Sequence, residues 1–263
     1  MQPKPIGPIW SEGLQNLQIS IITRPSKQMQ KVHDPITVSN NLGKQSHRDS
    51  KIGNAEIVPA PPKFDGPRYG SQPSREPYLP REPAKGHIYT LVLDLDETLV
   101  HFDPRSRTYK PRPGVIKFLY EMHRCFELVV FTAGLKDYAD WILNDLDKSG
   151  FISHRLYRDH TKHKNGVYIK DLSKLGRNMS KIIIIDNIED NFQSQPENGI
   201  PIKGWYNDPN DRELEKYMNF LKPMVQRKVK DVRLELVGFK KQMAREIRIQ
   251  EQLQYRNHGY GMR

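Results

Sequence analysis

Cysteine is almost missing from this chain: Cys125 is the only one in 263 residues. That excludes a disulfide within the chain and fits a reducing compartment. Its setting, Met122-His123-Arg124-Cys125-Phe126, reads as buried packing. No run approaches the ~20 apolar residues that a membrane-spanning helix requires. No signal peptide is expected, since prolines stand at 3, 5 and 8 with no apolar core behind them. The same prolines interrupt the amphipathic helix of a mitochondrial presequence. Internal repeats are absent as well. Proline is scarce in one part only: 13 of the 20 lie in residues 1–86 and seven in 87–263.

Charge is as uneven as proline. Residues 1–86 hold 12 Lys+Arg and 7 Asp+Glu, residues 87–224 hold 20 and 20, and residues 225–263 hold 10 and 4. The net charge of +11 therefore belongs to the two ends. Basic ends suit acidic partners: nucleic acid, an acidic protein surface or anionic lipid. Nucleic acid is the weakest of these, because no aromatic-and-basic stacking platform accompanies the charge. Residues 1–86 lack sustained periodicity, and their prolines break any helix or central strand. They read as an irregular basic arm with apolar islands at Ile9-Trp10 and Leu17 to Ile22.

The middle, 87–224, reads as a globular domain. Ile88 to Leu93, Phe126 to Phe131 and Lys181 to Ile185 are apolar runs of strand length. Helices are expected from Pro113-Gly114 through Met122 and over Asp137 to Leu146. Strands apolar on both faces and separated by helices imply a parallel sheet covered on both sides. The segment from Glu213 to about Tyr255 is expected to be helical, with breaks at Pro223 and Gly238. Residues 225–263 form a basic helical extension whose apolar positions suit docking on a partner.

Each apolar run ends in polar residues. The first feeds into Asp94-Leu95-Asp96-Glu97-Thr98, the second into Thr132, the third into Asp186-Asn187. Residues i and i+2 of a strand share a face, so Asp94 and Asp96 leave the strand together. In a parallel sheet the three ends converge on one edge, where such sheets keep their sites. Two close acids can bind a divalent cation, or divide into a nucleophile and an acid. Alone, each pattern has a plainer reading: a helix-capping turn, a strand-end threonine, a solvated lysine at Lys170. His154, His160 and His163 match no zinc spacing and read as solvated histidines.

The pattern Asp-x-Asp-x-Thr after an apolar strand resembles the first motif of the haloacid dehalogenase superfamily. With Arg112-Pro113-Gly114, Phe131-Thr132-Ala133, Tyr138-Ala139-Asp140, Arg155-Leu156-Tyr157-Arg158, Lys170-Asp171-Leu172-Ser173 and Asp186-Asn187, the chain resembles, over roughly 87–235, the family named after the RNA polymerase II C-terminal-domain phosphatases. One branch holds Mg-dependent phosphoserine/phosphothreonine phosphatases. Another holds the mitochondrial inner-membrane translocase receptor, which keeps the fold for binding. The resemblance implies a doubly wound α/β sheet of the haloacid dehalogenase type. It implies Asp94 as nucleophile, Asp96 as acid and base, and Thr132 and Lys170 as partners of the phosphoryl group. It implies Mg²⁺ held by Asp94, the Asp96 carbonyl and Asn187, with Asp186 in that shell, or orienting it or Lys170 from behind. Tyr138 and Arg158 are candidates for the substrate side.

Only the ten residues Phe102 to Pro111 separate His101 from Arg112. The polymerase-tail phosphatases carry a longer segment there that shapes a peptide pocket, so that pocket is expected to be missing. The short connection, Asn210 to Leu214 and Lys230 to Arg233 resemble the translocase branch, whereas Asp186-Asn187 matches the phosphatases. The expected function is a Mg-dependent protein serine/threonine phosphatase; the alternative is a scaffold subunit of a large assembly tethered by its extensions. The expected compartment is intracellular, nuclear or cytoplasmic, with mitochondria as the alternative.

Overall fold

All four residues of the first strand, β1 (Thr90–Leu93), are buried. Such a strand needs neighbours on both edges and cover on both faces. The computed structural model describes residues 75–259, and the Ile9-Trp10 and Leu17 to Ile22 islands lie outside them. In chain order the other elements are β2 (Val100–Asp103), β3 (Thr108–Pro111), α1 (Val115–Met122), β4 (Glu127–Phe131), α2 (Lys136–Leu146) and β5 (His154–Leu156). Then come β6 (Lys162–Lys164), β7 (Val167–Ile169), β8 (Ile182–Asp186), β9 (Gly199–Pro201), α3 (Glu213–Gln226) and α4 (Val232–Gly259).

The sheet order is β5-β4-β1-β8-β9, and every pairing is parallel. Leu93 lies level with Val130 of β4 and Ile185 of β8, so these strands end together. Because the chain adds β4 on one side of β1 and β8 on the other, the order reverses at β1. A crevice opens at the carboxyl ends where that happens.

The two faces are covered differently. Leu91, Leu93, Leu128, Val130, Ile183 and Ile185 pack against all four α-helices. In α1 the buried residues Val115, Phe118, Leu119 and Met122 follow helical spacing. Val92, Val129, Phe131, Ile182 and Ile184 face the other way, against Leu172, Leu175 and Phe192 of short 3-10 segments and against Leu79.

Leu79 shows that packing begins before residue 87. Tyr78 N donates to Lys174 O at 2.8 Å, Arg177 donates to Pro80 O at 2.7 Å, and Ala84 N donates to Glu127 at 3.0 Å. At the other end, Val232, Leu236 and Phe239 of α4 lie in the core. A tethering role for the extensions thus leaves out 76–86 and the first turns of α4.

Pro223 and Gly238 do not break the helices. Pro223 stands in the last turn of α3, where it removes one N–H to carbonyl bond without ending the helix, and Gly238 lies within α4. The break falls between them instead. Lys228 takes a left-handed backbone (φ 51°), and the Asp231 side chain caps α4 by accepting from Arg233 N at 3.0 Å.

Glu127 is fully buried and accepts a two-point contact from Arg177 at 2.7 and 2.8 Å, and further bonds from Thr90 and His154. Burial works against its charge, yet the bonds from Arg177, His154 and Ala84 N–H hold its pKa well below the ordinary 4.5. Glu127→Gln leaves a buried guanidinium unpaired and is expected to cost about 3–5 kcal/mol near neutral pH. A depressed carboxylate contributes fully above its unfolded pKa and loses that contribution as pH falls through the folded value. The gap between wild type and variant should therefore narrow only below 4.5. Equal urea midpoints at neutral pH would remove Glu127 from the supports of this fold.

Candidate active site

The convergence expected at the sheet edge is present. Asp94 N donates to Ile185 O at 3.0 Å, which carries the β1–β8 pairing up to the site. Thr132 follows β4 directly and Asp186 ends β8. Asp94, Thr132, Lys170 and Asp186 are all buried, at 5%, 1%, 0% and 0% exposure. For Lys170 that figure decides a question, because a lysine is not solvated at zero exposure. Its Nζ donates to Asp94 Oδ1 at 2.5 Å and to Asp186 Oδ2 at 2.6 Å.

Two acids and one ammonium leave a surplus of negative charge in a dry place. Burial pushes Asp94 up to about 7, with Lys170 opposing and Asp186 adding to the rise. Burial alone would strip the proton from Lys170, but Asp186 and Asp94 outweigh it and the ammonium pKa is raised. Burial also raises Asp96, against a hydrogen bond from the Tyr138 hydroxyl. Burial thus raises both acids of the pair.

The chain turns back sharply after Asp96. Glu97 has a left-handed backbone (φ 57°), fixed by Glu97 N to Val100 O at 2.7 Å and Trp205 N to Glu97 O at 2.8 Å. Such backbone persists in a non-glycine residue only when its surroundings hold it. The turn carries Thr98 back under Asp94. The Thr98 hydroxyl lies 3.2 Å from Asp94 Oδ2 and 3.5 Å from Asn187 Oδ1, so these two oxygens gather around one point.

That gathering tests the fit of Mg²⁺. Asp94 and the neutral Asn187 carboxamide offer only oxygens there, which suits a hard, partly hydrated cation. Among the described residues no group of three or more His, Cys, Asp or Glu side chains is arranged to hold a metal, and this donor set is of another kind. Asp186 faces elsewhere: its oxygens accept from Lys170, from Ile188 N at 2.8 Å and from Asn191 Nδ2 at 3.1 and 3.2 Å. It stands behind Lys170, the second of the two places expected for it.

Tyr138 is brought to Asp96. Arg158 Nε donates to Ala133 O at 2.7 Å, and its guanidinium lies 4.9 Å from the Tyr168 ring centroid. Arg158 thus braces the loop after Thr132, whose own Oγ1 accepts from Gly134 N at 2.9 Å. The three histidines do not meet as a cluster: His154 pairs with Glu127, His160 accepts from Tyr157 N, and His163 stacks on Tyr168.

The short connection after His101 is itself a hairpin, β2–β3. Phe102 and Tyr109 pack edge-on against Trp141, which fills the inner side of that hairpin. Clefts of about 430 and 510 Å³ lie beside α3, and no site residue lines them. The role of Thr98 was latent in its motif; that of Asn191, in a loop with no pattern, was not.

Residues 89–233 match the family model of the NLI interacting factor-like phosphatases. The span agrees with that of the motif resemblance. The chain is 40% identical over 190 residues to a probable C-terminal domain small phosphatase of Dictyostelium discoideum, covering 64% of this chain and 59% of that one. It is 41% identical over 142 residues to a CTD small phosphatase-like protein of Homo sapiens, covering 47% and 51%. It is also 40% identical over 175 residues to the mitochondrial import inner membrane translocase subunit tim50 of Aspergillus fumigatus, covering 65% and 35%. The chain spans less than two thirds of the length of each of these relatives.

Proposed function

We propose that this chain, which belongs to the NLI interacting factor-like phosphatase family, hydrolyses phosphoserine or phosphothreonine in proteins through an aspartyl-phosphate. One arrangement supports the reading above all: a buried lysine bonded to Asp94, with Asp96 beside it under a tyrosine hydroxyl. In the first step an Asp94 oxygen forms a bond to phosphorus as the bond to the seryl or threonyl oxygen breaks. Asp96, protonated, gives its proton to that leaving oxygen. In the second step Asp96, now a carboxylate, takes a proton from water as the water oxygen bonds to phosphorus. The bond to Asp94 breaks and its carboxylate returns. Lys170 and the Thr132 hydroxyl face the negative charge on the transferring group, where most catalysis of such reactions arises. Bound Mg²⁺ would supply further charge neutralisation there, held by Asp94, the Asp96 carbonyl and Asn187.

Asn187→Ala removes one neutral oxygen and is expected to raise the Mg²⁺ concentration needed for half-maximal turnover about 10–100-fold, with excess metal restoring much of the rate. An unchanged metal titration would take Asn187 out of the donor set.

The deciding assay uses the full chain on a small phosphate ester and on phosphoserine peptides, with Mg²⁺ and with chelator. Metal-dependent release of phosphate supports the enzyme. The second reading, a scaffold subunit held in an assembly by its extensions, has one specific support: the translocase subunit is as similar to this chain as the phosphatase-named relatives are. No turnover of either substrate would favour it. Under the first reading the compartment is nuclear or cytoplasmic, and under the second mitochondrial. Among the described residues no helix is long and apolar enough to cross a membrane.

A further inference from the structure

Asn191 belongs to none of the motifs. It sits in the 3-10 segment Glu189–Phe192 after β8 and is 6% exposed. Its side-chain Nδ2 lies astride the Asp186 carboxylate, 3.1 Å from one oxygen and 3.2 Å from the other. An ionised carboxylate only accepts, so the amide nitrogen and not its oxygen must face Asp186. The main chain of the same residue holds the other partner: Lys170 N donates to Asn191 O at 2.6 Å. One residue therefore grips both members of the ion pair that reaches Asp94.

The grip matters because neither member is stiff by itself. The carboxylate plane turns about a soft terminal torsion with broad minima. The lysine ammonium is a point charge on a four-carbon stem, aimed by its partners alone. Ile188 N fixes one Asp186 oxygen and Lys170 Nζ touches the other, and Asn191 is the contact that spans both. We propose that Asn191 is a positioning residue for phosphoryl transfer: it sets the plane of Asp186, and through it the place of the Lys170 ammonium beside Asp94. This deepens the phosphatase reading and rests on it.

The test uses the full chain and two substitutions. Asn191→Asp keeps the shape, removes the donors and sets a like charge against Asp186. Asn191→Ser keeps a shorter donor. On a small phosphate ester, kcat per folded molecule is expected to fall about 10–100-fold in the first and less in the second, with KM within about twofold. Asn198→Ala serves as the structural control. Asn198 is fully buried and bonds Met179 O and Ile182 O at 2.7 Å, outside the site. It should lower Tm and leave kcat per folded molecule in place.

A second readout does not need turnover. The Lys170 ammonium should give a protected ¹⁵N–¹H signal, identified by its loss in Lys170→Met. Asn191→Asp should broaden or shift that signal, and Asn198→Ala should not. A folded Asn191→Ser or Asn191→Asp with unchanged kcat and an unchanged ammonium signal overturns the proposal. A wild type without turnover would sink the phosphatase reading, and the ammonium signal would then decide whether Asn191 places Lys170.

Discussion

Asp94→Asn is expected to lower phosphate-ester turnover by at least about a thousandfold and to leave the fold intact. The amide has nearly the same shape as the carboxylate, so its oxygen can still accept from Lys170. It has no nucleophilic oxygen to give. The effect on stability should have the opposite sign to the effect on rate. Lys170 can neutralise one of its two carboxylates, and Asp186 is bound to it at 2.6 Å. With Asn at 94, a neutral buried pair remains. Burial has pushed Asp94 up from 3.8 to about 7. A carboxyl raised in the folded state costs nothing below its unfolded pKa and costs most above its folded one. In chelator, the variant should therefore have a higher urea midpoint than wild type above about 7, and the difference should vanish near 3.8. Turnover within tenfold of wild type would remove Asp94 as nucleophile. A lower midpoint for the variant in mildly alkaline chelator would mean that its charge supports the fold.

The contrast between Asp94 and Asn191 also shows what local sequence can carry. β1, β4 and β8 were legible as apolar runs because strands buried on both faces have no polar positions to confuse the pattern. Asp94, Asp96, Thr132 and Asp186 were legible because each is fixed by the end of such a run. β5, β6, β7 and β9 were not, being three residues each and partly exposed or glycine-bearing. The helix break at Lys228 and Asp231 was misplaced at Pro223 and Gly238. Composition signals what weakens a helix, and tertiary packing of Val232 and Leu236 decides where the next one starts. The second place of Asp186, behind Lys170, depends on who faces its oxygens, and Asn191 declares itself in no periodicity. Leu79 was hidden by the prolines around it: a proline-rich strap can still seat one buried leucine.

Lys170→Met should damage both rate and fold, which sets it apart from Asp94→Asn. Methionine fills a similar volume, so a cavity is not the cause. The loss is of charge. Lys170 is fully buried and is the cation bonded to both Asp94 and Asp186. Removing it leaves two carboxylates in a dry interior, one of them still held by Ile188 N and Asn191. Breaking a buried pair from one side typically costs about 3–5 kcal/mol. Turnover should also fall by about 10²–10³-fold, since the cation facing the transferring group is gone. The sign of the pH response separates this account from a packing defect. Without the ammonium, the Asp94 carboxyl loses the group that opposes its rise and goes up further in the folded state, so the folded protein binds a proton that the unfolded chain does not. The variant should gain stability as pH falls from about 8 to about 5, whereas a packing defect would be indifferent to pH over that range. Adding Asp94→Asn to Lys170→Met should recover part of the loss, because only Asp186 then remains charged. Two groups in direct contact should couple in this way, by about 0.5–3 kcal/mol. Strict additivity of the two substitutions, measured by urea midpoints at neutral pH, would show that Lys170 and Asp94 do not act on each other.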